Sequence, residues 1–501
     1  MNNDSRIIHG VPRYQMMPPN LRVPGFVYPR WVSTYAIVVY AAALMGISFT
    51  YASNALPWYY MLSGMIAVLV FFIYGNHVVQ DTLIYKVSKE KNFERKIFIT
   101  AFIPRLLFTL LIYWIFQANY GDVFGFEKGD AYFYDEIGQG FAKSFQNGHF
   151  MADFKKTNEV LDISDLGYGV YVGLIYWLTD NSIIAVRILK CLWSSLTVIL
   201  MYRLAKRNFG VQTARIAAIF CALWPNFWYY CGVHLKETEM VFLSVLFVEQ
   251  ADQMLRSRQF TVWKVIPILL IAALIFTFRT PLGLVALLSL IFAVIMSSSK
   301  VVNWGKRIIV GGLAIALIGI VAGNRIEEES RSLIEQARSD IQKENMEWRS
   351  KRDNGNAFAK YAGAAVFAPM IFTIPFPTMV RPFEGQEVQQ LLNGGNFIKN
   401  ILSGFTILAL VILMASGKWR EHLLPLSFML GYLVVLTVSA FAQSERFHQP
   451  VMPFELMFAA YGLSIAVTKK KYKRWFMYWC GLMFIAAFAW NWFKLAGRGL
   501  A

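Results

Sequence analysis

Apolar runs of roughly 17 to 25 residues recur from one end of this chain to the other, each long enough to cross about 30 Å of hydrocarbon as a helix. Backbone in lipid has no water to satisfy its N–H and C=O groups, so such a chain is committed to an all-α, polytopic transmembrane bundle. Composition agrees: of 501 residues, 56% are hydrophobic and 16% charged, where a soluble domain carries charge on about a quarter. Spans are predicted near 31–52, 56–78, 97–118, 182–204, 212–231, 238–255, 262–278, 281–298, 307–323, 397–416, 422–442, 449–467 and 475–493, about thirteen in all. The segment before the first run is too long and polar for a cleaved signal peptide, so the first helix is expected to be a retained anchor.

The net charge of +17 does not indicate nucleic-acid binding, because no basic stripe with interleaved aromatics lies on a soluble segment. Lysine and arginine sit in short clusters between apolar runs. Arg6, Arg13, Arg22 and Arg30 precede the first span, and Lys86, Lys89, Lys91, Arg95 and Lys96 follow the second. Arg203, Lys206 and Arg207 follow the fourth, and Arg256, Arg258 and Lys264 separate the sixth and seventh. Lys300, Lys306 and Arg307, then Lys418 and Arg420, then Lys469 to Arg474 complete the series. A cytoplasmic N-terminus puts every cluster on the cytoplasmic side. Cys191, Cys221, Cys231 and Cys480 show no metal-ligand spacing and read as small core hydrophobes.

Four regions follow from this topology: 1–96, a cytoplasmic tail and two spans; 97–323, a transmembrane core with a first outer loop at 119–181; 324–396, a second outer loop; and 397–501, the C-terminal spans. The first outer loop is rich in acids, from Asp122 to Asp165. Its residues 166–178 are apolar but too short to span, and suit a helix along the interface with Tyr171, Tyr176 and Trp177 at headgroup level. The second loop opens with a charged helix carrying the i,i+4 pairs Glu327–Arg331 and Glu347–Lys351. Residues 357–383 are apolar but hold four prolines, so they are expected to be re-entrant or interfacial.

Within 129–145, Tyr134, Ile137, Phe141 and Phe145 recur at helical spacing, so a helix begins near Asp130. A carboxylate at that start faces the outer aqueous layer, where it suits proton abstraction from a hydroxyl; a plain N-cap is the competing explanation. His234, Lys236 and Glu237 occupy a tight outward turn, with Lys236 suited to a lipid phosphate and Glu237 to orienting Lys236 or holding a metal. An ordinary interface turn with a snorkelling lysine fits the same residues. Arg446 offers a bidentate fork in a later outward turn, with His448 as a second donor, and Arg279 is a further outward cation. Arg105 and Arg187, near span starts, are suited to neutralising acids or reaching headgroups. Walker, dinucleotide, HExxH and G-x-S-x-G motifs are absent.

The order of these pieces resembles the GT-C superfamily of membrane glycosyltransferases, the relatives of protein O-mannosyltransferases and of bacterial aminoarabinose transferases. The likeness runs from Asp130 and Tyr134 through Gly167 to Leu174, Ala185 to Leu189, Tyr202 to Gly210, Ala214 to Ala218, Leu223 to Asn226 and Lys236-Glu237 to Arg446 through Pro453. It implies a sugar donor on a polyprenyl phosphate, an outward site, usually inversion at the anomeric carbon, and a lipid, glycan or protein acceptor. By the same resemblance Asp130 is the acidic catalytic residue, while Lys236 and Arg446, with His448 and Arg279, hold the lipid phosphate; Tyr134, His234 and Glu237 complete the substrate-binding set. No Asp-x-Asp motif stands near Asp130, so no cofactor is assigned and a divalent metal has no motif behind it. The expected location is the bacterial inner membrane, with the site on the periplasmic side.

Three other readings remain at this stage. A lipid-linked oligosaccharide flippase predicts mid-membrane ionisable groups and two comparable halves. A lipid-linked polysaccharide polymerase or ligase predicts its essential cations in one late outer loop, such as 324–396. A structural scaffold predicts that Asp130 is dispensable.

Overall fold

The computed structural model describes residues 30–75, 90–126, 128–160, 163–257, 262–297, 302, 305, 308–313, 315–316, 370–381, 387–438, 444–467 and 471–496. Among them no strand is formed, beyond one isolated bridge between Ala55 and Val380. In chain order the helices are α1 (Arg30–Thr50), α2 (Trp58–Leu69), α3 (Glu90–Tyr120), α4 (Lys128–Asn147), α5 (Phe150–Val160) and α6 (Ile163–Thr179). They continue as α7 (Ile183–Phe209), α8 (Val211–Leu223), α9 (Pro225–Gly232), α10 (Glu237–Arg256), α11 (Val265–Phe278) and α12 (Thr280–Met296). After the second loop come α13 (Glu387–Leu391), α14 (Asn393–Ala415), α15 (Leu423–Val438), α16 (Glu445–His448), α17 (Met452–Ala466) and α18 (Lys471–Ala496).

The all-α expectation holds, and five described helices are long and apolar enough to cross a membrane: α1, α3, α7, α14 and α18. Shorter apolar helices lie at Trp58–Tyr74, Val211–Leu223, Val265–Phe278, Thr280–Met296 and Leu423–Thr437. The run expected as one span at 212–231 is divided, because Pro225 has no N–H to continue α8 and instead starts α9. Arg105, fully buried, resolves the break: its guanidinium donates to the Cys221 and Ala222 carbonyls left over at the end of α8, to Ala101 and to the Ser194 hydroxyl. Arg105 therefore caps a helix, and among the described residues it pairs with no acid. Arg187 likewise donates to the Val123 carbonyl, with its guanidinium 5.4 Å from the Tyr113 ring.

The predicted helix at Asp130 is α4, with Asp130 in its first turn and Tyr134, Gly138 and Phe141 buried. It packs on α6, the interfacial helix expected at 166–178. Glycines allow the close approach: a Cβ on Gly173 would lie 2.5 Å from the Phe141 Cβ and 3.0 Å from the Gly138 carbonyl. The opposite edge of α6 shows Leu174, Trp177 and Leu178 outward. Of 357–383, residues 370–381 form turns and an extended strap rather than a helix. That strap is pinned by Lys399 to the Ile374 carbonyl (2.6 Å) and by Asn491 to the Met379 N–H (2.7 Å) and the Pro377 carbonyl (3.0 Å). The charged helix of the second loop, with its Glu327–Arg331 and Glu347–Lys351 pairs, and most of the 307–323 span lie outside the described residues.

The two ends of the bundle carry different chemistry. At the end where α7 and α10 terminate, Arg207 pairs with Glu249 (2.7 Å) and Asp252 (3.1 Å), and Arg256 with Asp252 (2.8 Å). Arg256 also donates to Asn208, which meets His422 at 2.9 Å. Three turns assigned to one side from charge alone thus meet in one network. The residues singled out as functional lie at the other end.

Candidate active site

The site is assembled from five turns at one end of the bundle. Asp130 enters on the first turn of α4, and its carboxylate is 56% exposed. Arg446, on the short helix α16, is 12% exposed and ion-pairs with Asp130 through Nη1 and with Glu237 through Nε. Glu237 opens α10 and has no solvent exposure. An acid there is favoured by the helix N-terminus, and its buried charge is compensated by Arg446. The guanidinium therefore spans two carboxylates, one buried beneath it and one facing water. Burial would lower the Arg446 pKa, but Glu237 and Asp130 together raise it well above the ordinary arginine value.

Lys236 stands next to this triad and joins three turns. Its ammonium donates to the Ser164 carbonyl (3.0 Å), to the Phe278 carbonyl at the end of α11 (2.7 Å) and to the Asp165 carboxylate. An ammonium has three hydrogens, and all three are engaged. Lys236 was expected to contact a lipid phosphate; in this arrangement it fixes the walls of the site and contributes its field. Asp165 also accepts from the Tyr134 hydroxyl at 2.9 Å. Burial would raise the Asp165 carboxyl, but Lys236, then Tyr134 and the nearby Arg279 charge, bring it below the usual carboxylate range. Burial moves Lys236 below its ordinary value, with the Asp165 carboxylate opposing.

Arg279 links α11 to α12 at the position before Thr280-Pro281, where the backbone turns extended. Its guanidinium lies 4.1 Å from the centroid of Phe447, and the Arg446 guanidinium lies 5.8 Å from the same ring. Among the described residues the Arg279 guanidinium has no hydrogen-bond acceptor, and Arg446 Nη2 has none either. Beneath Glu237 a small cavity of about 10 Å³ is lined by Ser194, Phe227, Tyr230, Thr238, Val241 and Gln449. Glu237 Oε2 and Gln449 Oε1 are buried there without hydrogen-bond partners. Among the described residues no cluster of three or more His, Cys, Asp or Glu is placed to hold a metal ion.

Of the residues singled out from sequence, Asp130, Tyr134, Lys236, Glu237, Arg279 and Arg446 come together, and the two histidines do not. His234 is fully buried, packed between Phe124, Tyr168 and Tyr176, with both ring nitrogens unpartnered. Burial, with Lys190 and Arg187 adding to it, pushes its pKa well below the ordinary histidine value, so the ring is neutral. It backs the site and does not face it. His448, expected as a second donor beside Arg446, turns inward because α16 places successive side chains on different faces. Its Nδ1 meets Lys399 at 2.8 Å, and Lys399 lies 3.9 Å from Glu455. Glu237 pairs with Arg446 and not with the neighbouring Lys236 that it was expected to orient. Sequence reasoning missed Asp165, Phe447 and Lys399. Asp165 sits among many loop acids, and only its ion pair with Lys236 separates it from them.

Residues 169–323 match the family described as dolichyl-phosphate-mannose-protein mannosyltransferase, a family of the GT-C superfamily. The resemblance read from motif order is thus met by an independent match, which supports a membrane glycosyltransferase of the GT-C type using a polyprenyl-phosphate sugar. The matched segment contains His234, Lys236, Glu237 and Arg279, and contains neither Asp130 nor Arg446. No curated protein and no solved structure matches the chain.

Proposed function

We propose that this chain transfers a sugar from a polyprenyl phosphate to the hydroxyl of a lipid, glycan or protein acceptor at the non-cytoplasmic face of a bacterial inner membrane, with inversion. The observation that carries the reading is the Asp130–Arg446–Glu237 chain of charges, beside an Arg279 guanidinium whose donors are unused among the described residues. One carboxylate open to water and two cationic forks are what this displacement needs.

The donor phosphate is held by Arg279 and by Arg446 Nη2, with the Lys236 charge behind them. The acceptor oxygen attacks the anomeric carbon from the face opposite the phosphate. Its C–O bond forms as the sugar–phosphate C–O bond breaks, the hydroxyl proton passes to Asp130, and the bonding pair leaves with the lipid phosphate. Charge growing on that phosphate is stabilised by the fixed guanidiniums. A phosphate leaves without a general acid, so one base suffices, unlike the carboxylate pair of glycoside hydrolysis.

The ion pair also gives an order to these events. While it is paired with Arg446, the Asp130 carboxylate is engaged by the guanidinium and not by an acceptor hydroxyl. A phosphate entering beside Arg446 competes for the guanidinium and releases the carboxylate, so the base becomes effective once the donor is in place. Orientation follows from the basic network at the far end, which belongs to the cytoplasm by the positive-inside rule.

The test is incubation of the purified protein with a panel of polyprenyl-phosphate sugars and hydroxyl acceptors, reading lipid-phosphate release. Release that depends on Asp130 supports the assignment; no release across the panel removes it.

A further inference from the structure

The cations of the site differ in what holds them, and that difference points to a residue outside the charged set. Lys236 spends every hydrogen on protein acceptors. Arg446 spends two of its donors on carboxylates. Arg279 is held by an aromatic face instead, at 4.1 Å from the Phe447 centroid. A guanidinium resting on a ring gains attraction from the ring quadrupole while its N–H edge stays free. A carboxylate in that place would have consumed those donors.

Phe447 is itself well anchored. It lies between Arg446 and His448 in α16, and His448 is tied by Lys399, which also grips the strap at Ile374. The Arg446 guanidinium, 5.8 Å from the ring centroid, shares the same ring. Two guanidiniums thus contact one neutral ring, at 4.1 and 5.8 Å from its centroid, and among the described residues both retain donors for a third party.

We propose that Phe447 is a positioning residue: its ring holds Arg279 beside Arg446 with the hydrogen-bonding edge unspent, forming a two-armed clamp for the phosphate of a lipid monophosphate. The inference rests on the phosphate-site reading above and adds the residue that sets the clamp.

Its test is equilibrium binding of decaprenyl phosphate and of uncharged decaprenol to the full-length protein in detergent. Wild type is expected to prefer the phosphate. Phe447→Leu and Phe447→Met, which keep bulk and remove the ring face, should weaken decaprenyl phosphate about tenfold, equivalent to about 1.4 kcal/mol, and leave decaprenol unchanged. Phe447→Trp should retain wild-type affinity. Because the ring acts through Arg279, Phe447→Leu added to Arg279→Gln should bind phosphate no more weakly than Arg279→Gln alone. Equal losses for phosphate and alcohol, or a Trp variant as weak as Leu, would reduce Phe447 to packing and overturn the proposal. If Arg279→Gln weakens phosphate binding while both ring variants do not, the clamp is real and the ring is not its support. Absence of any wild-type preference for the phosphate removes the site reading itself, and the proposal with it.

Discussion

Arg446 donates its Nε hydrogen to Glu237, a carboxylate with no solvent exposure, and this contact aims the rest of the guanidinium at Asp130. Removing the buried partner leaves Arg446, 12% exposed, with the water-facing Asp130 in place of a buried counter-charge, and breaking buried pairs costs about 3 to 5 kcal/mol. Glu237→Ala should therefore lower thermal stability in detergent by about 3 kcal/mol. Glu237→Gln keeps the acceptor oxygen and should lose less.

Asp130 is exposed, so its loss should be chemical and not structural. Asp130→Asn is expected to reduce turnover by 10²–10⁴, the usual contribution of a general base, with an unchanged melting temperature. Normal turnover in a well-folded Asp130→Asn protein would leave the carboxylate as an N-terminal helix residue only.

The free fork of Arg279 makes a separate prediction. Arg279→Gln should raise the donor KM about 10- to 100-fold, as expected for a charge-assisted hydrogen bond of about 1.5–3 kcal/mol, with a smaller change in kcat. Lys236→Met should act differently, because it frees Asp165 and two carbonyls: the expected loss is in stability first, seen as a lower melting temperature without substrate.

His234 supplies the pH dependence. Its folded pKa is depressed well below the ordinary value by burial, then by Lys190 and Arg187. The unfolded chain therefore binds more protons below about pH 6.5, and this residue's contribution to stability is complete above that pH and falls as the pH drops below it. The slope is about 1.4 kcal/mol per pH unit while the folded ring stays neutral. His234→Phe keeps an aromatic among Phe124, Tyr168 and Tyr176 and should flatten the loss between about pH 6.5 and 5 in thermal unfolding. An unchanged pH profile would mean that His234 is not the group responsible.

The run lengths and the basic clusters were enough to determine an all-α bundle and which turns share an end, because hydrophobic thickness and charge asymmetry are properties of local sequence. The network of Arg207, Glu249, Asp252, Arg256 and His422 at one end answers to that patterning. The start of the helix at Asp130 was equally legible, since Tyr134 and Phe141 repeat at helical spacing. Partner choice was not. Arg446, Phe447 and His448 are consecutive, yet one joins Asp130 and Glu237, one carries Arg279, and one turns inward to Lys399. Which face of a short turn meets which helix depends on packing between segments hundreds of residues apart. Tertiary structure alone decided that Glu237 supports Arg446, that Lys236 has no hydrogen left over, and that Arg279 does.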